Sequence, residues 1–470
     1  MNSPPGGAAG GHHWQPAGGE ASPSPSPSLP PPPPSLLLSS LFQYLVPYSS
    51  HPFYLCVCVC VCIQTMRPSI SLLLLALACC QWRRAGAETH AFFYLWYGNP
   101  ATNGAYSHWD HSILPHWTEA TRALYPGRET RWLPPHDIHA PYYPARGLYS
   151  SLDPATLRAP VADLAAHGVA AAVVSWWGRA GVSAGDSQGV LTDAALALAL
   201  DAAASTRGGA SSGVGVCLHL EPYEGRSVAS VREDLAHLHA RFGAHPGLHR
   251  AQGRPCIYVY DSYHLPPQEW ARLLTPGGDL SVRGTALDAL FLGLWLDRGH
   301  GRDCREGGFD GAYTYFASDG QSHGSTTAHW PGMAAEARAL GLLLVPSVGP
   351  GYDDSKIRPW NSAAIREREG GLYYERMWRA ALGTQPRIVA VTSYNEWGEG
   401  TQIEGAVPRA IDVEALAPQG LALGRDVRAR LRLVTVDRYR DYGEGGEGLY
   451  MRLTGQFAGE LAAALADKDL

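Results

Sequence analysis

The stretch VTSYNEWGEGTQIEG, residues 391–405, carries three carboxylates, Glu396, Glu399 and Glu404, among glycines and aromatic residues. It follows a short β-branched run, RIVAV. Two acids three residues apart at a strand end can face one cavity. Such a pair can supply a proton donor together with a base or nucleophile, the chemistry that cleaves glycosidic bonds. The bland alternative is a solvated acidic loop. Spacing alone does not separate the two readings, so the decision falls to the element that carries the loop.

Eight apolar runs recur along the chain: AFFYLWYG (91–98), GVAAAVVSWWG (168–178), GVGVCLHLEPY (213–223), CIYVYD (256–261), ALFLGLWLD (289–297), FDGAYTYF (309–316), LLLVPSVGPG (342–351) and RIVAVTSYNEW (387–397). Near-continuous apolar character marks strands buried on both faces. Helix-like stretches lie between most of them. In 153–167, Asp153 is placed as N-cap, Pro154 opens the helix and Gly168 follows its end. Further helices are read at 192–204, 227–242, 330–340 and 371–382. Strands alternating with helices over most of the chain predict a (β/α)8 TIM barrel forming a single catalytic domain, 88–470. An open doubly wound sheet is the runner-up, but no glycine-rich dinucleotide loop follows the first strand.

In such a barrel the chemistry lies at the C-terminal ends of the strands. Those ends collect Tyr94 and Trp96, HWDH (108–111), Trp176 and Trp177, Glu221 and Tyr223, Tyr260, Tyr315, Tyr352, Asp353, Asp354 and Asn395, beside the glutamates. Acids mixed with aromatic rings suit a carbohydrate cleft, where rings stack on sugar faces and carboxylates grip hydroxyls. Of the adjacent indoles of 176 and 177, on opposite strand faces, one is core and the other is free to stack on a sugar. HWDH reads as substrate binding rather than a metal site, since no matched second pair accompanies it. Asp353 and Asp354 read as a turn rather than a calcium pair. Glu404 receives no role.

The net charge of −6 gives no electrostatic support for nucleic-acid binding. No G-x-S-x-G elbow, Walker A loop or H-E-x-x-H helix is present. Residues 1–65 are proline-rich, low in complexity and expected to be disordered or a gene-model artefact; CVCVCVC (56–62) is a dipeptide repeat, otherwise a β-prone or metal-binding tract. Residues 66–87 read as a signal peptide or short signal-anchor, with Arg67 before the apolar run and Ala85-Gly86-Ala87 as the cleavage pattern. Membrane anchoring would act through that run. Three cysteines remain beyond it, Cys217, Cys256 and Cys304, the first two in strand-like runs where a thiol is usually a small core group.

Taken together, FYLWYGNP, HWDHSILPHW, YYPARGLYSS, VSWWG, LEPYEGR, IYVYDSYH, GFDGAYTYFASDG, VPSVGPGYDDSKIRPWN, SYNEWGEGTQIEGAVP and GLYMRLTGQF resemble, in order, the motifs of glycoside hydrolase family 99, the endo-α-1,2-mannosidases. The resemblance implies a metal-free, cofactor-free retaining enzyme of the secretory pathway, in the Golgi lumen or secreted, whose partner is a glucosylated high-mannose N-glycan. It implies that Glu399 is general acid, then general base. Glu396 would assist attack by the sugar's own 2-hydroxyl, giving a 1,2-anhydro intermediate. Tyr94, Trp96, Trp176, Trp177, Glu221, Tyr223, Tyr260, Tyr315, Tyr352 and Asn395 would bind substrate. Departures are Gly398, where a histidine is expected, the segment WNSAAIRERE (360–369), and residues 409–436, which read as a loop insertion or gene-model error. A glycan-binding paralogue without strong catalysis is the rival. A third reading, a barrel attached to a glycosyltransferase, lacks room for the second domain.

Overall fold

The computed structural model describes residues 86–111, 132–207, 213–251, 253–358, 361–411 and 438–466, all within the compact unit Leu74–Leu470. The segment 1–65, nearly all of 66–87, Trp360 and most of 409–436 lie outside the described residues. Among the described residues no helix is long and apolar enough to cross a membrane.

Eight parallel strands form the barrel: β1 (Glu88–Phe93), β2 (Val169–Trp176), β3 (Gly215–Leu220), β4 (Arg254–Val259), β5 (Leu290–Leu294), β6 (Gly311–Tyr313), β7 in two halves (Leu343–Val345 and Ser347–Val348) and β8 (Ile388–Val391). Each strand pairs with the next, and β8 returns to β1 through Glu88↔Ile388 to Ala91↔Val391. The ring closes across β7. Its first half pairs with β6 and its second half with β8, and between them Pro346, which has no N–H to give, accepts from Ala390 N at 3.0 Å.

A helix follows every strand: α1 (Pro154–Ala166), α2 (Asp193–Thr206), α3 (Val228–Phe242), α4 (Pro267–Leu274), α5 (His300–Gly307), α6 (Trp330–Leu340), α7 (Leu372–Gly383) and α8 (Leu449–Ala466). Asp153 caps α1 as its sequence predicts, accepting from Ala155 N at 2.9 Å. Ser227 and Ser230 form a reciprocal cap on α3. The short helices α4 and α5 were not legible as periodic segments, and α8 lay beyond the last strand considered.

Strand one is shorter than expected at its C-terminal end. It stops at Phe93, two residues past its last pair with β8, Ala91↔Val391, because the Asn395 amide takes both the N–H and the C=O of Tyr94. Tyr94 and Trp96 therefore sit beyond the ladder, on the rim rather than in the wall. Inside the barrel, Phe92 packs on His219, Tyr258, Tyr313 and Tyr315 with ring centres 4.8–5.7 Å apart. His219 Nε2 meets Tyr313 Oη at 2.8 Å. The interior is thus aromatic and polar where aliphatic layers are usual.

Alternation along β2 separates two neighbours. Ser175 points inward and donates to Glu221 Oε1 at 2.8 Å. Trp176 points outward, fully buried, and its indole N–H donates to Asp193 Oδ1 of α2 at 3.2 Å. This corrects the assignment of Trp176 to substrate: it is packing between strand and helix. Trp176→Ala is expected to cost about 3–5 kcal/mol of folding stability, measured by urea denaturation.

Candidate active site

The loop 393–404 leaves β8 at the C-terminal mouth and folds back on itself. Ser393 N donates to Thr401 O at 2.9 Å, and Ile403 N and Glu404 N donate to Ser393 O and Tyr394 O, both at 2.9 Å. Gly400 adopts φ +60°, and a Cβ there would lie 2.9 Å from Asp353 O. Both facts require glycine. The loop is buried almost throughout, so each of its carboxylates must be compensated where it sits.

Glu396 is 6 % exposed. Its backbone N–H donates to Ser393 Oγ at 2.7 Å, and its Oε1 accepts from Gly398 N at 3.0 Å. Burial, followed by the charge of Glu399, raises its carboxyl well above the usual range, which favours the neutral form. Glu399 is partly open to solvent, and Arg358 Nη1 reaches its Oε1 at 3.0 Å. Arg358 is held in turn by Asp354 Oδ2 at 3.2 Å. Asp354 also accepts from Tyr352 Oη at 2.9 Å and Asn361 Nδ2 at 3.0 Å. Burial pushes Asp354 up to about 6, against the pull of Arg358 and Asn361. The turn reading of Asp353 holds, since its Oδ1 accepts from Ser355 N at 3.1 Å. Asp354 does more: it aims the arginine at Glu399.

Four phenols surround the pair. Burial raises Tyr94, Tyr260, Tyr315 and Tyr352 well above the ordinary tyrosine value, and the Glu399 charge raises each further. Tyr94 and Tyr315 share a short hydroxyl–hydroxyl contact, and the rings of Tyr260 and Tyr315 meet edge-on at 4.8 Å. Glu221, buried, takes the Ser175 hydrogen bond and lies 3.0 Å from His219 Nδ1; its charge reaches Tyr94 and Tyr260. Trp96 is stacked between Tyr94 at 4.5 Å and His108 at 4.3 Å. His108 is itself fixed by Asp186 at 2.6 Å.

Three expected binding residues serve the scaffold instead. Trp176 faces α2, as described. The Tyr223 hydroxyl bonds Ser230 Oγ at 2.7 Å and Asp234 of α3. Asn395 gives its amide to the chain: Oδ1 accepts from Tyr94 N at 2.7 Å, and Nδ2 donates to Tyr94 O at 2.9 Å and Tyr149 Oη at 3.2 Å. It clamps the end of β1 to the loop after β8. Trp177 is half-buried, and its indole N–H has no hydrogen-bond partner.

Several residues that shape the site gave no clear sequence signal. Arg358 was detectable only through its four-residue spacing from Asp354. Glu404 proves fully buried. It accepts from Tyr149 Oη at 2.8 Å, Trp397 Nε1 at 3.2 Å and Arg146 Nη1 at 3.2 Å. Arg368 lies within 4.5–4.9 Å of the ring centres of Tyr142, Tyr442 and Tyr450. Its Nη2 donates to Gly400 O and Gln402 O, both at 2.8 Å.

His139 explains Gly398. A Cβ built on Gly398 would come 2.8 Å from both Cδ2 and Nε2 of His139 and 3.1 Å from Glu396 Oε1. The backbone of Gly398 is not left-handed; the constraint is space. An imidazole from residue 139 fills the volume that a side chain at 398 would occupy. Burial, then His111, His108 and Lys356, holds it well below the ordinary histidine value, hence neutral.

A profile of the family described as "Glycosyl hydrolase family 99" matches residues 86–417. A human "Glycoprotein endo-alpha-1,2-mannosidase-like protein" is 41 % identical over 332 residues, covering 69 % of this chain and 70 % of the relative. A rat "Glycoprotein endo-alpha-1,2-mannosidase" is 40 % identical over 325 residues, 68 % of each chain. The solved GH99 endo-alpha-mannosidase from Bacteroides thetaiotaomicron superposes with a TM-score of 0.68 at 36 % identity, over 80 % of this chain and 98 % of that one.

Two measurements follow from this geometry. Gly398→Ala is expected to lose about 1–3 kcal/mol by overpacking, and His139→Ala in the same chain to recover most of it. Strictly additive urea-midpoint shifts would show that the positions do not share space. Burial pushes Glu404 up to about 7 from the ordinary 4.5, against Arg146, Tyr149 and Trp397. The native state then keeps a proton that the unfolded chain releases. Stability is therefore full below 4.5, falls as pH rises towards 7 and levels off above, by about 3 kcal/mol in all. Glu404→Gln should flatten that slope in urea midpoints taken across the interval.

Proposed function

The chain belongs to glycoside hydrolase family 99, and from that premise we propose that it is a retaining endo-α-1,2-mannosidase that releases glucosylated mannose units from high-mannose N-glycans. The observation that carries this reading is the pair Glu396 and Glu399 at the mouth of the barrel, one buried with its carboxyl raised and the other bonded to Arg358. Two carboxyl groups in such different surroundings suit an acid–base reaction at one bond.

In the proposed course the sugar-bound site has Glu396 as the carboxylate and Glu399 as the carboxylic acid, and Glu396 takes the proton of the mannose 2-hydroxyl as that oxygen attacks C1. Glu399 delivers its proton to the leaving glycosidic oxygen, and the C1–O bond breaks. A 1,2-anhydro sugar remains. Water then attacks C1, giving its proton to Glu399, while O2 recovers the proton from Glu396. Two inversions at C1 leave the configuration retained. Both catalytic groups return to their starting states, and no carboxylate bonds to C1. The separation rule for nucleophilic retaining enzymes therefore does not apply.

Around the pair, Tyr94, Tyr260, Tyr315 and Tyr352 provide rings and hydroxyls for the sugars, Trp96 lines the cleft within its stack on Tyr94 and His108, and Glu221 provides an acceptor for sugar hydroxyls. No step needs a metal or cofactor. On the reading of 66–87 as a signal segment, the enzyme works in the secretory pathway, in the Golgi lumen, membrane-attached or soluble.

One observation favours a second reading, a glycan-binding barrel with weak turnover: Glu399 is engaged by Arg358 at 3.0 Å, and an acid must leave that ion pair to act. Incubation of the chain with a glucosylated high-mannose N-glycan separates the two. Release of a glucose-capped mannose saccharide is expected, and Glu396→Gln or Glu399→Gln should slow it about 100- to 10,000-fold without preventing glycan binding. Binding without release by the unaltered protein overturns the catalytic reading.

A further inference from the structure

At the end of the barrel opposite the glutamates, the interior carries a second set of chemically capable groups that the reaction does not use. Cys217 on β3 and Cys256 on β4 stand side by side, one step before the Leu218↔Ile257 pair. His90 reaches the same point from β1. The three are buried, and their ligand atoms lie within 4.8 Å of one another. We propose that Cys217, Cys256 and His90 form a binding site for a thiophilic divalent cation of the Zn(II) type.

The donor set fits that ion. Two thiolates and an imidazole select a soft or borderline metal over calcium or magnesium. A tetrahedral ion with bonds of about 2.0–2.3 Å brings its ligand atoms within about 4 Å of one another. The cluster needs only a small contraction, within the reach of cysteine side-chain rotation. As the ion binds, each thiol releases its proton to solvent, and two thiolate charges balance the cation.

The outer groups are arranged as a metal-bound histidine needs them. His90 Nε2 lies 2.9 Å from Glu88 Oε2, so a proton on Nε2 is donated to that carboxylate. This leaves the lone pair on Nδ1, which now meets Tyr258 Oη at 2.8 Å; the ion takes that lone pair and the phenol turns aside. Glu88 Oε2 is also 3.0 Å from His249 Nε2, which fixes the carboxylate. A carboxylate behind a ligating imidazole sets its tautomer and orientation. Glu88, with a side-chain exposure of 27 %, opens the cluster to solvent and gives the ion a way in. By contrast Cys304, the third described cysteine, is buried apart from the pair.

The competing account is a metal-free core in which the thiols are small apolar fillers. Cobalt spectroscopy decides between them. The full chain is reduced with a phosphine, stripped with a chelator and titrated with Co(II). A thiolate-to-cobalt charge-transfer band should saturate at stoichiometric metal and vanish when Zn(II) displaces the cobalt. The thermal midpoint should rise with free Zn(II). Cys217→Ser and Cys256→Ser should each lose the band. Glu88→Gln should keep it with affinity about 10- to 100-fold weaker, and Glu396→Gln should leave it unchanged. Absence of the band in the unaltered, reduced chain overturns the proposal, whatever the variants do. So does a Cys217–Cys256 disulfide whose reduction restores no cobalt binding.

Discussion

Three carboxylates within nine residues of irregular chain, Glu396 and Glu404 buried and Glu399 partly so, are the constraint around which this protein is arranged. An uncompensated buried charge costs several kcal/mol, and the loop meets that cost three ways. Glu396 favours its neutral form and accepts a backbone N–H from Gly398. Glu399 takes Arg358. Glu404 is ringed by Arg146, Tyr149 and Trp397. Removing any one partner leaves a desolvated acid behind it, so these residues are as tied to the site as the glutamates are.

The supports reach back into separate parts of the barrel. Arg146 comes from the long connection after β1 and pairs also with Asp163 of α1. Asn395 ties the loop to the backbone just past β1. Arg368, caged by three tyrosines, holds the carbonyls of Gly400 and Gln402 from the segment before α7. A guanidinium stacked on rings loses little freedom when it forms those hydrogen bonds. The loop carries no secondary structure of its own, yet its backbone is fixed from three sides.

What could be read in the sequence divides along physical lines. Strand identity was legible because both faces of each strand are apolar, so every run of the barrel stood out. Strand ends were not, since they depend on a partner: β1 stops at Phe93 because the Asn395 side chain takes the backbone groups of Tyr94. The glutamate pair was legible by its place after β8. Which rim aromatics face the cleft was not, because outward Trp176 and inward Ser175 differ by one residue and the deciding partner, Asp193, lies on α2. Tyr223 and Asn395 differ from expectation for a related reason: the Tyr223 hydroxyl is taken by the helix that follows it, and the Asn395 amide by the backbone just past β1. Gly398 looked like a loss, and became intelligible only with the position of His139, far away in sequence.

On the catalytic reading, the electrostatics of the empty site and the roles in turnover differ in one respect, and the substrate accounts for it. Burial favours the neutral form of Glu396, the more buried acid, and Arg358 bonds Glu399. A mannose 2-hydroxyl that donates to Glu396 favours the charged form of that carboxyl. A negative charge on one carboxyl of a close pair favours the neutral form of the other. Glu399 then faces the glycosidic oxygen as an acid, and the negative charge near Glu396 is met by the Gly398 N–H and the sugar hydroxyl. The phenols around the pair keep the local dielectric low, which strengthens each of these couplings. On this reading, sugar binding and the assignment of the acid and the base are one event.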